Sequence, residues 1–233
     1  SPTTSDYLTQ LCIVTALQDP ELKAVLRLPW SWQKRQLQND TTIYHRGYYT
    51  RDGRTHDVVA AAAPRMGMTW AAALSMKMIS VFRPRYIAIV GILAGMRGQC
   101  ELGDIVVADP GWDYGSGKYL RKDDGNQFEI APYQIALNSS IRGKLSSLAQ
   151  EGEVLDEIRH GWQGNSPKTI LKMHLGPVGS GAAVLADSTI CEDVKKQHRK
   201  VIGIDMETYG VLAAAEESQT PQPKAFAIKS VSD

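Results

Sequence analysis

Seven short runs along the chain are rich in β-branched and small apolar residues: 11–16, 58–63, 86–91, 104–108, 169–175, 201–206 and 225–231. Runs of this length and composition read as strands buried on both faces. Between some of them the apolar positions recur at helical spacing. Residues 69–82 (TWAAALSMKMISVF) form one such segment, with Pro84 as a stop signal just beyond. Residues 132–150 carry Ile135, Leu137, Ile141, Leu145 and Leu148 on one stripe. Residues 187–200 open on Asp187 or Ser188 as N-cap. They end in Lys195, Lys196, His198, Arg199 and Lys200, cations that suit a helix C-terminus. Residues 207–218 are an Ala-rich helix. Strands that alternate with helices predict the α/β class: one domain with a mixed, mostly parallel central sheet flanked by helices. Residues 109–127 and 151–168 are rich in Gly and polar residues and read as two long loops.

Composition narrows the picture. The chain has 233 residues, of which 43% are hydrophobic, enough for one large core. A net charge of +1 gives no global field toward nucleic acid or a membrane surface. No apolar run approaches the ~20 residues needed to span a bilayer. The three cysteines, Cys12, Cys100 and Cys191, are far apart, and neither CxxC nor HExxH spacing occurs. A reduced, cytoplasmic protein without structural metal or cofactor is expected. The first residues lack both an initiating Met and a signal-peptide core, so the chain is expected to be a piece of something longer.

In open α/β sheets, ligands bind beyond the carboxyl ends of strands. Four stretches at such places can carry chemistry. Residues 91–98 (GILAGMRG) let a backbone approach a ligand, with Gly95 as a candidate binding position, although a tight structural turn is the reading the residues alone favour. Residues 176–184 (GPVGSGAAV) form another small-residue turn, where Val184 can face a flat base. Glu207 follows the strand at 201–206 and can accept hydrogen bonds from a vicinal diol, although an acidic first-turn residue also simply suits the helix dipole. Asp233 ends the last strand and can serve as a general acid if burial raises its pKa; by position alone it is more commonly a solvated chain end.

The motifs taken together resemble a known family. Residues 201–207 (VIGIDME), the small-residue helix after them and residues 227–233 (AIKSVSD) are similar to the superfamily of purine nucleoside phosphorylases and methylthioadenosine/S-adenosylhomocysteine nucleosidases. Residues 91–98 resemble its central glycine loop, 103–109 (GDIVVAD) its following strand, and 11–21 (LCIVTALQDPE) its first strand and acidic turn. The resemblance covers nearly the whole chain. It implies an enzyme that cuts the N-glycosidic bond of a purine nucleoside or nucleotide. It further implies that Asp233 donates a proton to purine N7, with Ser232 in support. Glu207 would hold the ribose hydroxyls, Met206 would pack on the sugar, and Val184 would line the base. Glu21, with Asp19 in reserve, would position an attacking water.

Departures from the family pattern refine this. Phosphorylases of the family hold phosphate with a hydroxyl residue in the glycine loop, where Ile92 and Leu93 stand here. Water is therefore the expected nucleophile. Arg65, in the run Pro64-Arg65-Met66-Gly67, and Arg97 supply two cations where the ribose 5′ end is expected, and arginine forks suit phosphate oxygens. Both equally fit ordinary surface arginines. These details resemble phosphorylase-like modules fused into larger bacterial signalling or antiviral-defence proteins, which implies a nucleotide substrate such as ATP. Family members carry a further helix after the catalytic Asp, whereas this chain ends at Asp233, so a missing C-terminal helix is expected. Self-association is the family habit and is expected here. A phosphorylase, and a sensing module that binds a nucleotide without turnover, stand as alternatives.

Overall fold

β-branched runs and helix punctuation set the elements. In the computed structural model, which describes residues 6–122, 125–130, 133–165, 167–182 and 188–233, β1 (Thr9–Thr15) leads into a helical turn at Gln18–Leu22 continued by α1 (Lys23–Val25). Then come β2 (Gln33–Gln36), β3 (Ile43–Arg51), β4 (Arg54–Ala62), α2 (Met68–Phe82) and β5 (Pro84–Gly95). Next are β6 (Ile105–Asp113), β7 (Gly117–Lys122), β8 (Gly125–Ile130), β9 (Gln134–Ile135), α3 (Ser139–Leu148) and α4 (Gly152–Gly161). The chain closes with β10 (Met173–Ser180), α5 (Ser188–Gln197), β11 (Gly203–Asp205), α6 (Thr208–Glu216) and β12 (Lys224–Val231). It divides into two compact units. One comprises residues up to Gly91 together with Gly210–Ile228; the other comprises Ile92–Tyr209 and Lys229–Asp233.

In the first unit, β1 lies parallel to both β4 and β5, with Leu11 opposite Val58 on one side and Tyr86 on the other. β3 runs antiparallel to β4, and β2 pairs with β3 at the sheet edge. The period-2 alternation puts Ile13, Val58, Ala60 and Ala62 into one buried cluster with Leu22 and Val25. Ile13, Leu22, Val25 and Val58 each contribute about 1.5–3 kcal/mol by leaving water. α2 packs on β1 and buries Ala71, Leu74, Met78 and Ile79. It ends where sequence punctuation requires. Arg83 takes the left-handed conformation (φ 43°), its N–H caps the Ile79 carbonyl, and Pro84 follows. Gly210, in α6, approaches α2 so closely that a Cβ there would lie 2.5 Å from the Met68 carbonyl oxygen. That contact explains a small residue at this point of the helix.

In the second unit, β10 lies parallel to β6 and to β11, with Gly179 opposite Trp112 and Ile204. The tail of β5 runs antiparallel to β11, pairing Gly95 with Gly203 and Ala94 with Ile204. Met96, Trp112, Val194, Val201 and Ile204 form the buried cluster of this unit. β7 and β8 make a separate two-stranded sheet. Among the described residues, no helix is long and apolar enough to cross a membrane.

The α/β class with a mixed, helix-flanked sheet is as expected, and several boundaries are not. The expected loop at 109–127 holds the end of β6 and the β7–β8 hairpin. The expected loop at 151–168 holds α4, a short helix that buries Leu155. The strand expected at 169–175 begins at Met173 and runs to Ser180, so the Gly176–Ser180 run lies inside a strand rather than in a turn. A Cβ on Gly176 would meet Ile202 at 2.8 Å, which accounts for a glycine in mid-strand. Likewise β5 continues through the expected glycine turn as far as Gly95. The helix expected from residue 132 starts only at Ser139, where the Asn138 side chain accepts from the Ser140 amide and caps it. Asp187, one of the two expected N-caps of α5, lies outside the described residues.

Candidate active site

The chemistry concentrates where β11 passes into α6. Asp205 ends the strand, and its carboxylate accepts from the Thr208 amide at 3.1 Å and from the Thr208 hydroxyl at 2.5 Å. It thus caps the first turn of α6. The Ser180 hydroxyl, from β10, donates to Asp205 at 2.6 Å and accepts from the Tyr209 amide at 3.0 Å. Two residues on, Glu207 is buried, with 4% of its surface exposed. Lys229 reaches in from β12 with 2% exposure, and its Nζ lies 2.6 Å from Asp205 and 3.0 Å from Glu207.

A lysine this deep would ordinarily lose its proton. Burial does push Lys229 down, but the charges of Asp205 and Glu207, with their hydrogen bonds, outweigh it and the ammonium is pushed up to about 12. It is therefore charged throughout the neutral range. Two carboxylates thus face one ammonium in this buried cluster. A buried excess of negative charge is unfavourable by itself and suits a site where positive charge develops. The Tyr114 hydroxyl is pushed up by burial and then by Asp205 and Asp113.

The end of β12 is fixed by backbone bonds in the same unit. The Val231 amide donates to Asp104, the Gly103 amide to Val231, the Ser232 amide to Leu93, and the Gly95 amide to Asp233. Ser232 Oγ lies 3.2 Å from an Asp233 carboxylate oxygen. Asp233 itself is exposed. Gly95 thereby pairs both with Gly203 of β11 and with Asp233, which links the two strand ends that carry Glu207 and Asp233. Its amide is committed to Asp233, and a Cβ at Gly95 would meet Cys100 Sγ at 2.6 Å and Val231 at 2.7 Å. The glycine is thus explained by close packing of strands. Met206 is half-buried beside Glu207, and Arg97 is exposed just past β5. Val184 lies outside the described residues.

Glu21 and Arg65 belong to the other unit. Glu21 is 6% exposed, and its carboxylate folds back to accept from the Ala16 and Leu17 amides at 2.8 and 2.9 Å. Gly91 leaves room for it, since a Cβ there would lie 2.2 Å from Glu21 Oε1. Asp19, by contrast, is exposed and paired with Lys23 at 3.1 Å, the arrangement of a solvated ion pair. Of the two acids in this turn, Glu21 is the one held in place. Arg65 is exposed and sits over the Trp70 ring at 5.5 Å. Among the described residues, no three His, Cys, Asp or Glu side chains converge as a metal site.

Sequence reasoning singled out Glu207 but passed over its partners Asp205, Ser180 and Lys229. A signal existed for Lys229: it directly follows the apolar run Ala225-Phe226-Ala227-Ile228 in a strand expected to be buried on both faces, and lysine is almost never fully buried unless paired.

Comparison with known proteins places this geometry in context. The model of the family described as Phosphorylase superfamily matches residues 10–233. The uncharacterized protein y4jS of Sinorhizobium fredii is 35% identical over 225 residues, which is 96% of this chain and 54% of that protein. A death domain-containing ATP nucleosidase of Amphimedon queenslandica is 25% identical over 231 residues, 92% of this chain and 41% of that protein. The chain thus spans about half the length of these curated relatives. The crystal structure of Helicobacter pylori 5′-methylthioadenosine/S-adenosylhomocysteine nucleosidase matches with a TM-score of 0.74 at 15% identity, over 98% of this chain and 86% of that one. At that identity the likeness shows the fold.

Proposed function

The chain belongs to the Phosphorylase superfamily, and from that premise we propose that it hydrolyses the N-glycosidic bond of an adenine nucleotide, with ATP as the substrate that fits best. The observation that carries the reading is the buried Asp205–Lys229–Glu207 triad at the β11–α6 junction. Departure of a purine leaves a sugar with oxocarbenium character, and a net negative, water-poor carboxylate cluster stabilises that charge as it develops. Glu207 accepts from the ribose hydroxyls, and Met206 packs on the sugar. Asp233, exposed before substrate binds and supported by Ser232, donates to N7 once the bound base covers its carboxyl, so the bonding pair of the C1′–N9 bond leaves with a neutral base. Glu21 orients water and takes its proton as oxygen bonds to C1′. The products are free adenine and ribose 5-triphosphate, and atoms and charge balance without a co-substrate.

Water is favoured over phosphate because Ile92 and Leu93 offer no hydroxyl to an anion, and Leu93 is buried in packing against the Gly203 position. The nucleotide is favoured over the nucleoside by the ATP nucleosidase named among the relatives and by Arg97, exposed just past β5, whose guanidinium is a forked donor for phosphate oxygens. The test is to incubate the protein with ATP, AMP, adenosine and methylthioadenosine and separate the products. Adenine is expected from ATP. Adenine from the nucleosides alone would remove the nucleotide reading, and release that requires inorganic phosphate would replace hydrolysis by phosphorolysis.

A further inference from the structure

We propose that Lys229 is a positioning residue: it holds the Glu207 carboxylate in the one orientation that reads the ribose hydroxyls, and Asp205 in turn anchors Lys229. This rests on the proposed role of Glu207. Four observations carry it. Glu207 and Lys229 are both buried, so their 3.0 Å contact lacks the solvent screening that makes surface pairs weak. Lys229 is held from its other side by Asp205 at 2.6 Å. Asp205 is itself fixed by donors from Ser180 and Thr208, on β10 and α6. The backbone around Lys229 is equally constrained, because the strand end beyond it is bonded to residues 93, 95, 103 and 104. The rigid chain Ser180–Asp205–Lys229–Glu207 therefore ends on the proposed sugar-binding carboxylate.

A carboxylate offers about four lone-pair positions on two oxygens. The lysine bond at Oε2 sets how the group as a whole is turned. The same lysine offsets part of the negative charge that the two carboxylates bring to the cluster. It therefore tunes how much negative charge faces the sugar as well as where that charge sits.

The measurement is a cycle between side chain and substrate. Wild type and variants are compared on ATP and 3′-deoxy-ATP, and the ratio of their kcat/KM values is read. Taking this ratio of ratios between proteins cancels the intrinsic effect of the missing hydroxyl. Hydrogen bonds to charged groups are worth about 1.5–3 kcal/mol, so wild type should discriminate by about 10- to 150-fold. Lys229→Met should bring that ratio below about threefold, through kcat more than KM on ATP, because the contact matters most in the transition state. Lys229→Arg should restore most of it. The double variant Lys229→Gln with Asp205→Asn removes the ammonium and one carboxylate together, so the fold is spared an excess buried anion. It too should lose discrimination. A folded single or double variant that slowed both substrates equally, with the wild-type ratio kept, would overturn the proposal. Absence of adenine release by wild type would instead refute the reading of function.

Discussion

Glu207, Lys229 and Asp233 are the residues whose alteration should be felt first. Glu207→Gln keeps shape but loses the charge opposite Lys229, and Asp233→Asn loses the proton offered to N7. Each should lower kcat by about 10²–10⁴-fold, the usual scale for a positioned acid or base. Asp233→Asn should leave the melting temperature nearly unchanged because its side chain is exposed. A rate that survived both changes would show that the chemistry lies elsewhere. Cys12 supplies a contrast. It is completely buried, and burial, followed by the nearby Asp57 charge, pushes its thiol well above the ordinary range. Only the thiolate attacks, so Cys12 should resist a thiol reagent at pH 8 in the folded protein and react once the chain is unfolded. Labelling followed by peptide mass measurement decides this.

At the scale of elements, the turn after β1 and the anchoring of α2 carry consequences of their own. Gly91→Ala would thrust a methyl group into the Glu21 carboxylate. Overpacking of that kind costs about 1–3 kcal/mol. The variant should melt earlier and should also lose rate if Glu21 orients the water. A variant of unchanged activity would detach Glu21 from the reaction. Lys77 of α2 is bonded to Asp40 and Thr42 at 2.6 Å each. Burial raises the Asp40 carboxyl, but the bonds from Lys77, Tyr44 and Thr42 outweigh it and hold it below the usual carboxylate range. A depressed carboxyl stabilises the fold above the unfolded value of about 3.9, and that stabilisation fades as pH falls through the folded value. The melting-temperature gap between wild type and Asp40→Asn should therefore be constant from pH 8 to 5 and should narrow below about pH 4. Legibility in the sequence varied by element for physical reasons. β1, β4 and α2 bury continuous apolar faces and were plain. β2 is Gln-Lys-Arg-Gln at a sheet edge, exposed throughout, with no alternation to detect. The β3–β4 hairpin did leave a sign, the Asp52-Gly53 pair, whose positive φ angles of 51° and 71° are those of a tight hairpin turn.

For the whole molecule, the fold was readable because it rests on local motifs, and the two stretches proposed for the site are local motifs as well. Residues 205–207 and 229–233 each form one short stretch beside a strand. What could not be read was the contact between stretches. Nothing local tells that Lys229 reaches back 22 positions to Glu207, or that Gly95 is small because Cys100 and Val231 crowd it. The glycines suggested a ligand loop, while the structure gives several of them to strand packing. The account as a whole claims that this assembly of strand ends directs water to the anomeric carbon of an adenine nucleotide. The most direct measurement is to run the reaction on ATP in ¹⁸O-enriched water without inorganic phosphate and weigh the sugar product. The account predicts free adenine and a ribose triphosphate carrying one ¹⁸O at C1′. ATP left intact, or phosphate released with adenine still on the sugar, would contradict it.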